Sequence, residues 1–397
     1  MKLGIEVLLE SPKLLKELKS KRVALVCHPA SVDHELRHSF DLLHSKVQLT
    51  SAFGPQHGVK GEKQDNMVES DDFIHSTAGI PIYSLYGKVR RPTAEMMNSF
   101  DVVLFDLQDL GCRIYTFITT LLYLMEECAR YNKQIVILDR PNPAGREVEG
   151  FRLENGWESF VGAAPIPMRH GLTVGELALY FKIHFQLQVN LQVIKMKSYD
   201  PRKKQEFGWP KDLVWVNPSP NASNLNMARA YSGTVLLEGT HLSEGRGTTR
   251  ALELVGAADL DFEKVLNMMK KKAPQWLKGC RLREVYFQPV FHKYQGESCH
   301  GVQIHAEGDW YNEKQFKPYR LIALVLKCIH ELYPEYKLFR DFSYEYVTDK
   351  LAFDVINGGP KLRNWIENSK ANVSFLETQL KKDENSWLKE YKKYWLY

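Results

Sequence analysis

Four short apolar runs set the terms for what this chain can become. They are RVALVCH from Arg22 to His28, VQLTSAF from Val47, DVVLFDLQ from Asp101 and QIVILDRP from Gln134. Each is continuously apolar where a half-exposed strand would alternate, which is the pattern of parallel strands covered on both faces. The stretches between them have helical periodicity. Residues 33–45 place Leu36, Phe40 and Leu43 on one face, and residues 115–130 form a longer amphipathic helix. Strand–helix–strand alternation of this kind predicts an α/β fold, with a Rossmann-like parallel sheet and helices on both faces.

Around residues 144–170 this rhythm gives way to a Gly-, Pro- and Trp-rich stretch. The domain transition is placed there. Residues 1–165 are expected to form the Rossmann-like domain, and residues 166–397 a smaller α/β domain that completes a cleft. Thr173 followed by Glu176 at capping-box spacing opens the first helix of the second part. Strands are expected at residues 191–197, 233–238, 281–289 and 301–305, and helices at 261–272, 318–332 and across the last thirty residues.

A sheet of this type invites a dinucleotide reading, which the sequence refuses. That reading needs G-x-G-x-x-G between a strand and a helix. After the first strand come Pro29, Ala30 and Ser31, and Gly245-Arg246-Gly247 lacks a third glycine. There is no Walker sequence either, so no cofactor is expected. The net charge of +5, from 53 basic and 48 acidic residues, gives a mild bias toward anionic ligands and no basic block of the kind nucleic acid requires. Six cysteines with no C-x-x-C pair read as reduced, partly buried thiols, and no metal site is expected. Charges interrupt every apolar run before Arg22, and no run is long enough to span a bilayer. A cytoplasmic protein with no membrane partner is therefore expected.

Polar residues concentrate in four loops shaped by glycine or proline at predicted strand ends, where ligands bind in open α/β sheets. FGPQHGVKGEKQDNMVESDD, from Phe53, carries Gln56, His57, Glu62 and Glu69. FDLQDLGCRIYT, from Phe105, carries Asp106, Asp109, Arg113 and Tyr115. WVNPSPNASNL, from Trp215, offers Asn217, Ser219 and Asn221, neutral groups suited to sugar hydroxyls and acetamido groups. LLEGTHLSEGRGTTR, from Leu236, carries Glu238, Glu244, Arg246, Thr248 and Arg250. Each has a plainer reading. Asp106 and Asp109 could cap the following helix, Arg113 and Arg250 could be ion-pair partners, His57 could bond a carbonyl, and Asn-Pro-Ser-Pro-Asn could be a rigid turn.

The same loops carry a resemblance. G-P-Q-H-G at Gly54, P-I-Y-S-L-Y-G-K at Pro81, F-D-L-Q-D-L-G-C-R-I-Y-T at Phe105, D-R-P-N-P at Asp139, P-I-P-M-R-H-G-L-T-V-G-E-L at Pro165, W-V-N-P-S-P-N at Trp215 and L-L-E-G-T-H-L-S-E-G-R-G-T-T-R at Leu236 resemble the NamZ-like exo-β-N-acetylmuramidases of glycoside hydrolase family 171. The resemblance implies a Rossmann-like domain and a smaller α/β domain flanking a cleft. It also implies release of non-reducing terminal N-acetylmuramic acid from peptidoglycan fragments in cell-wall recycling. The substrate's lactyl carboxylate would suit Arg113, Arg140, Arg246 or Arg250, whose planar forks bind carboxylates in two parallel bonds. Many members carry Glu where this chain has Gln56, and an amide cannot donate the acid's proton.

Glycoside hydrolysis normally uses two carboxyl groups. Glu69 from the first domain and Glu244 from the second are the expected pair, with Glu62, Glu238, Asp106 and Asp109 in reserve. A substrate-assisted route would need one acid and a group such as Asn217 or Asn221 to orient the 2-acetamido group. His57, Tyr115, His170, Ser219 and Thr248 complete the expected sugar contacts. Two rival classes are an amino-sugar-binding protein without activity, kept open by Gln56, and a phosphotransferase using Asp106 and Asp109 on magnesium, which lacks a phosphate-cradling loop.

Overall fold

The computed structural model describes residues 1–63, 67–202 and 208–397. The chain opens with short helices over Gly4–Leu9 and Pro12–Lys19, then enters strands β1 (Arg22–Val26), β2 (Gln48–Gly54), β3 (Phe73–Ile74), β4 (Pro81–Ser84), β5 (Val102–Phe105) and β6 (Gln134–Leu138). A two-stranded ribbon, β7 (Glu149–Arg152) and β8 (Pro167–Arg169), precedes β9 (Asn190–Ile194). The main sheet runs β3-β4-β2-β1-β5-β6-β9, parallel throughout except where β3 meets β4. Without the short β3, its spatial order is that of a Rossmann sheet. The apolar runs form its centre, and β5 is buried along its length.

The sheet extends past residue 165. β9, expected in the second domain, pairs with β6 from Gln134↔Asn190 to Leu138↔Ile194 and closes the first sheet. The second half contains a smaller antiparallel sheet of β10 (Leu254–Ala257), β11 (Arg281–Phe287) and β12 (Cys299–His305), in the order β10-β12-β11. Helices Phe262–Lys272 and Pro318–Leu332 accompany it, and helix Val373–Tyr391 packs back on the ribbon. Among the described residues, no helix is long and apolar enough to cross a membrane. All six cysteines are buried and unpaired.

Two expected elements differ. Residues 233–238 finish a helix (Leu225–Thr234) and form a 3-10 turn (Val235–Gly239), where a strand was expected. A short apolar run does not by itself distinguish a buried strand from a buried helix end. The helix expected over 33–45 begins only at Ser39, because Leu36 has a φ of 63° and points to solvent.

In a Rossmann sheet the ligand crevice opens between the two central strands, here β1 and β5. In this chain it is filled from within. His28, just after β1, is buried and reaches the Gln108 amide (3.0 Å). Asp106, at the end of β5, is buried and accepts two bonds from Arg140, at 2.6 and 3.0 Å. A charged pair so enclosed is a structural brace, with no face left for a nucleotide. The cleft lies further out, where the loops after β2 and β5 meet the second half.

Candidate active site

Two successive left-handed residues, His57 (φ 72°) and Gly58 (φ 76°), turn the loop after β2 so that Gln56 and His57 face a cavity. The cavity is narrow in this structure, with its polar and apolar walls close together. Ile114, Tyr115, Thr116 and Val161 complete the wall from the first half, and Ser219 and Asn221 come from the connecting segment. Met227, Tyr231, Glu238, Arg246, Leu252, Tyr344 and Glu345 close the opposite side. Tyr115 and Tyr231 meet edge to face, with ring centres 6.0 Å apart.

Glu345 reaches furthest across. Its Oε1 accepts a hydrogen bond from Gln56 Nε2 (3.1 Å) and its Oε2 accepts one from the Tyr86 hydroxyl (2.8 Å). Gln56 Oε1 in turn accepts from Thr116 Oγ1 at 2.7 Å. Burial pushes the Glu345 carboxyl up, and the nearby Glu238 charge adds to the push. The bonds from Tyr86 and Gln56 and the charge of Arg90 oppose it without reversing it. A carboxyl raised in this way is suited to carry a proton near neutral pH.

The backbone beneath Glu345 is unusual. Tyr344 and Val347 exchange both backbone hydrogen bonds, so Glu345 and Tyr346 are the two central residues of a tight hairpin turn. Their φ values are 47° and 68°. Turns with both central residues left-handed favour Asn-Gly, and each ordinary side chain held there costs about 1–3 kcal/mol. The surroundings must hold this turn in place. Tyr344 donates to Glu238 Oε2 (2.6 Å), Glu345 is bound as described, and the Tyr346 hydroxyl donates to Glu69 Oε1 (2.9 Å).

Behind Glu238 runs a buried chain of alternating charge. Arg246 donates to Glu238 Oε1 (2.6 Å) and lies 3.2 Å from Glu244 Oε1, while Lys293 donates to Glu244 Oε2 at 2.8 Å. Burial alone would raise the Glu244 carboxyl; Lys293, Arg246 and His292 overcome it and hold the group at about 2.

Both halves of the chain match known families. Family models described as exo-beta-N-acetylmuramidase NamZ, N-terminal and C-terminal, cover residues 23–226 and 229–397. The chain belongs to the NamZ exo-β-N-acetylmuramidase family. It is 38% identical over 400 residues to the peptidoglycan beta-N-acetylmuramidase NamZ of Bacillus subtilis (strain 168), covering 99% of this chain and 91% of that protein. Two crystal structures of DUF1343 family proteins from Bacteroides fragilis NCTC 9343 share the fold. One is 31% identical with a TM-score of 0.85, the other 27% identical with a TM-score of 0.74, and each match covers 100% of this chain and 98% of the other.

Within this NamZ-family cleft, the expected sugar contacts Gln56, His57, Tyr115, Ser219, Asn221, Glu238 and Arg246 all line the cavity. His57 Nδ1 donates to the Lys63 carbonyl (2.7 Å), which fixes the ring. The remaining expected residues stand elsewhere. Glu69 is half exposed outside the cavity, between Tyr346 and Arg90, and those two bonds lower its carboxyl. Glu62 borders a separate surface hollow with Lys60 and Asp72. Glu244 is walled in by its three cations and does not reach the cavity. Asp106 and Arg140 brace each other at the crevice.

Arg113 spends its guanidinium on the carbonyls of Phe151, Ile166, Ile356 and Asn357, tying the ribbon to the C-terminal region. Asp109 accepts from the Gly111 amide (2.7 Å) and lies 3.5 Å from His170 Nε2, both buried behind the cavity wall. Thr248 stabilises its own turn through the Gly245 carbonyl, Arg250 pairs with Glu253, and Asn217 is exposed. Among the four arginines expected to meet a carboxylate, Arg246 alone lines the cavity. Sequence reasoning missed Glu345, Tyr344 and Tyr86. F-S-Y-E-Y-V contains the signal only as a glutamate set between tyrosines in a stretch without glycine or proline, and S-L-Y-G-K only as a tyrosine before a glycine.

Proposed function

We propose that this chain is a glycoside hydrolase that releases non-reducing terminal N-acetylmuramic acid from peptidoglycan fragments, with Glu345 as the general acid. The observation that carries this reading is a buried, raised carboxyl held by two neutral donors in a cavity lined from both halves of the chain. Glu345 protonates the glycosidic oxygen as the bond to the anomeric carbon breaks. In this reading the substrate's own 2-acetamido oxygen is the attacking group, and Glu238, kept oriented by Arg246 and Tyr344, is the carboxylate of the alternative two-carboxyl route. Asn221 and Ser219 orient that amide on the opposite wall. Water then opens the cyclic intermediate and returns a proton to Glu345. Arg246, which lines the cavity while paired with Glu238 and Glu244, is the candidate partner of the lactyl carboxylate. The substrate is a MurNAc-containing disaccharide or muropeptide, and the setting is cell-wall recycling in the cytoplasm.

Glu345→Gln tests the reading by removing the proton while keeping shape and hydrogen bonds. Turnover of a chromogenic muramide is expected to fall by about 10²–10⁴-fold, with the thermal midpoint little changed. Wild-type turnover in that variant would exclude Glu345. A second reading, an amino-sugar-binding protein without activity, is favoured only by the amide at position 56. Calorimetric binding by the unaltered chain with no product over long incubation would establish it.

A further inference from the structure

We propose that Arg90 is a positioning residue for this reaction, pinning the strained Glu345–Tyr346 turn across the cleft and so setting where the Glu345 carboxyl stands. The inference rests on the reading of Glu345 as the acid and goes beyond it. The Arg90 guanidinium lies 4.3 Å from the ring centre of Tyr86 and 4.3 Å from that of Tyr346. It therefore joins one aromatic residue from each half. Tyr86 is bonded to Glu345, and Tyr346 is its chain neighbour.

The same guanidinium donates to the Gly87 carbonyl and to Glu69 Oε1 (3.3 Å), and Glu69 also accepts from the Tyr346 hydroxyl. The Arg90 side chain is about four-fifths buried, so these contacts are shielded from competing water. A cation between two aromatic faces gains most when desolvated.

The turn has a specific need for such a clasp. An Asn-Gly pair adopts two successive left-handed conformations unaided, whereas Glu-Tyr does not. Contacts from outside must keep residues 345 and 346 there. Those from the first half come from Gln56, Met67, Glu69, Tyr86 and Arg90. Gln56 and Tyr86 hold the carboxyl itself; Arg90 and Glu69 hold the residue after it. Losing that second hold lets the acid drift while leaving its own hydrogen bonds available.

Charge gives the proposal a second handle. The charged and titratable groups around Glu345 are Glu238, with Arg246 and Tyr344 attached, Tyr231 and Tyr346 from the second half, and His57, Tyr86, Arg90 and Tyr115 from the first. Arg90 is the cation acting directly on Glu345 and favours its ionised form. Removing the charge must extend the protonated, active form to higher pH.

The experiment compares Arg90→Gln, Arg90→Lys and Tyr346→Ala with Glu345→Gln, using a chromogenic muramide across a pH series. In Arg90→Gln, kcat is expected to fall about ten- to a hundredfold, as for a misplaced catalytic group, with KM little altered. The alkaline limb of kcat/KM should move to higher pH. Arg90→Lys should keep the limb near its wild-type position because the charge remains, yet retain most of the kcat defect because the flat stack is lost. Tyr346→Ala, which removes the ring that Arg90 stacks on and has no ease in the left-handed region, should lower kcat.

If Glu345→Gln is inactive while Arg90→Gln keeps wild-type kcat and an unmoved limb, the positioning role is overturned and the acid assignment stands. If Glu345→Gln is active, the acid assignment itself falls. Should Arg90→Gln fail to fold, Tyr346→Ala decides: wild-type turnover in that variant overturns the proposal.

Discussion

At the scale of single residues, the amide at position 56 changes what its neighbour can do. Gln56 Nε2 stands 3.1 Å from Glu345 Oε1 and brings a hydrogen bond without a charge. A glutamate there would place two carboxyls within sharing distance, and such a pair holds one proton tenaciously. Gln56→Glu is therefore expected to move the alkaline limb of kcat/KM upward by on the order of one pH unit. A limb that stays put would mean that residue 56 and the acid do not touch. The residues read from sequence divide on the same principle. Gln56, Glu238 and Arg246 occupy loops whose glycines and prolines announce a shaped surface, and they line the cavity. Glu244 lies on one of those loops too, but nothing local reveals that Lys293, far along the chain, neutralises it. Glu345 was illegible for the opposite reason. Its turn contradicts local preference and is imposed by contacts from the other half.

At the scale of elements, the strands that could be read were those buried on both faces. The runs at Arg22, Asp101 and Gln134 needed no tertiary knowledge, because continuous apolarity has few other uses. The capping box at Thr173 and Glu176 was equally local, and both of its bonds are present. Residues 233–238 failed because their apolarity serves a helix crossing. A Cβ on Gly233 would stand 2.0 Å from the Pro318 carbonyl oxygen, so helices Leu225–Thr234 and Pro318–Leu332 touch backbone to backbone there. Gly233→Ala is expected to force them apart at a cost of about 1–3 kcal/mol or more, visible as a lower thermal midpoint. Because Tyr231, Glu238 and Arg246 follow from that helix, turnover should fall as well. An unchanged midpoint would mean that the crossing is looser than described.

At the scale of the whole molecule, the two halves share one interior. A single cluster of buried apolar residues runs from Ala24 and Phe105 in the first to Val302 and Trp387 in the second. Arg320 locks the join: it bonds Glu384 at 2.6 Å and Glu377 at 2.8 Å and lies 3.4 Å from Glu149 on the ribbon. Calorimetry is expected to show one unfolding transition for the entire chain. Arg320→Met should move it down as a unit by about 3–5 kcal/mol, since the buried Glu149 and Glu384 lose the arginine they share. Two separate transitions would contradict the shared core. This integration explains why a boundary at residue 165 could not be read from composition, since the loop-rich stretch there is a ribbon sewn into both halves. Its far end carries a consequence for synthesis. The Tyr397 hydroxyl donates to Asp139 (2.7 Å), directly after β6, and the Leu396 amide donates to Glu176 (2.8 Å). A ribosome delivers Asp139 long before it delivers Tyr397. The emerging sheet must wait, incompletely sealed, for a partner 258 positions further along the chain, so the first half cannot finish maturing until the second half has been made.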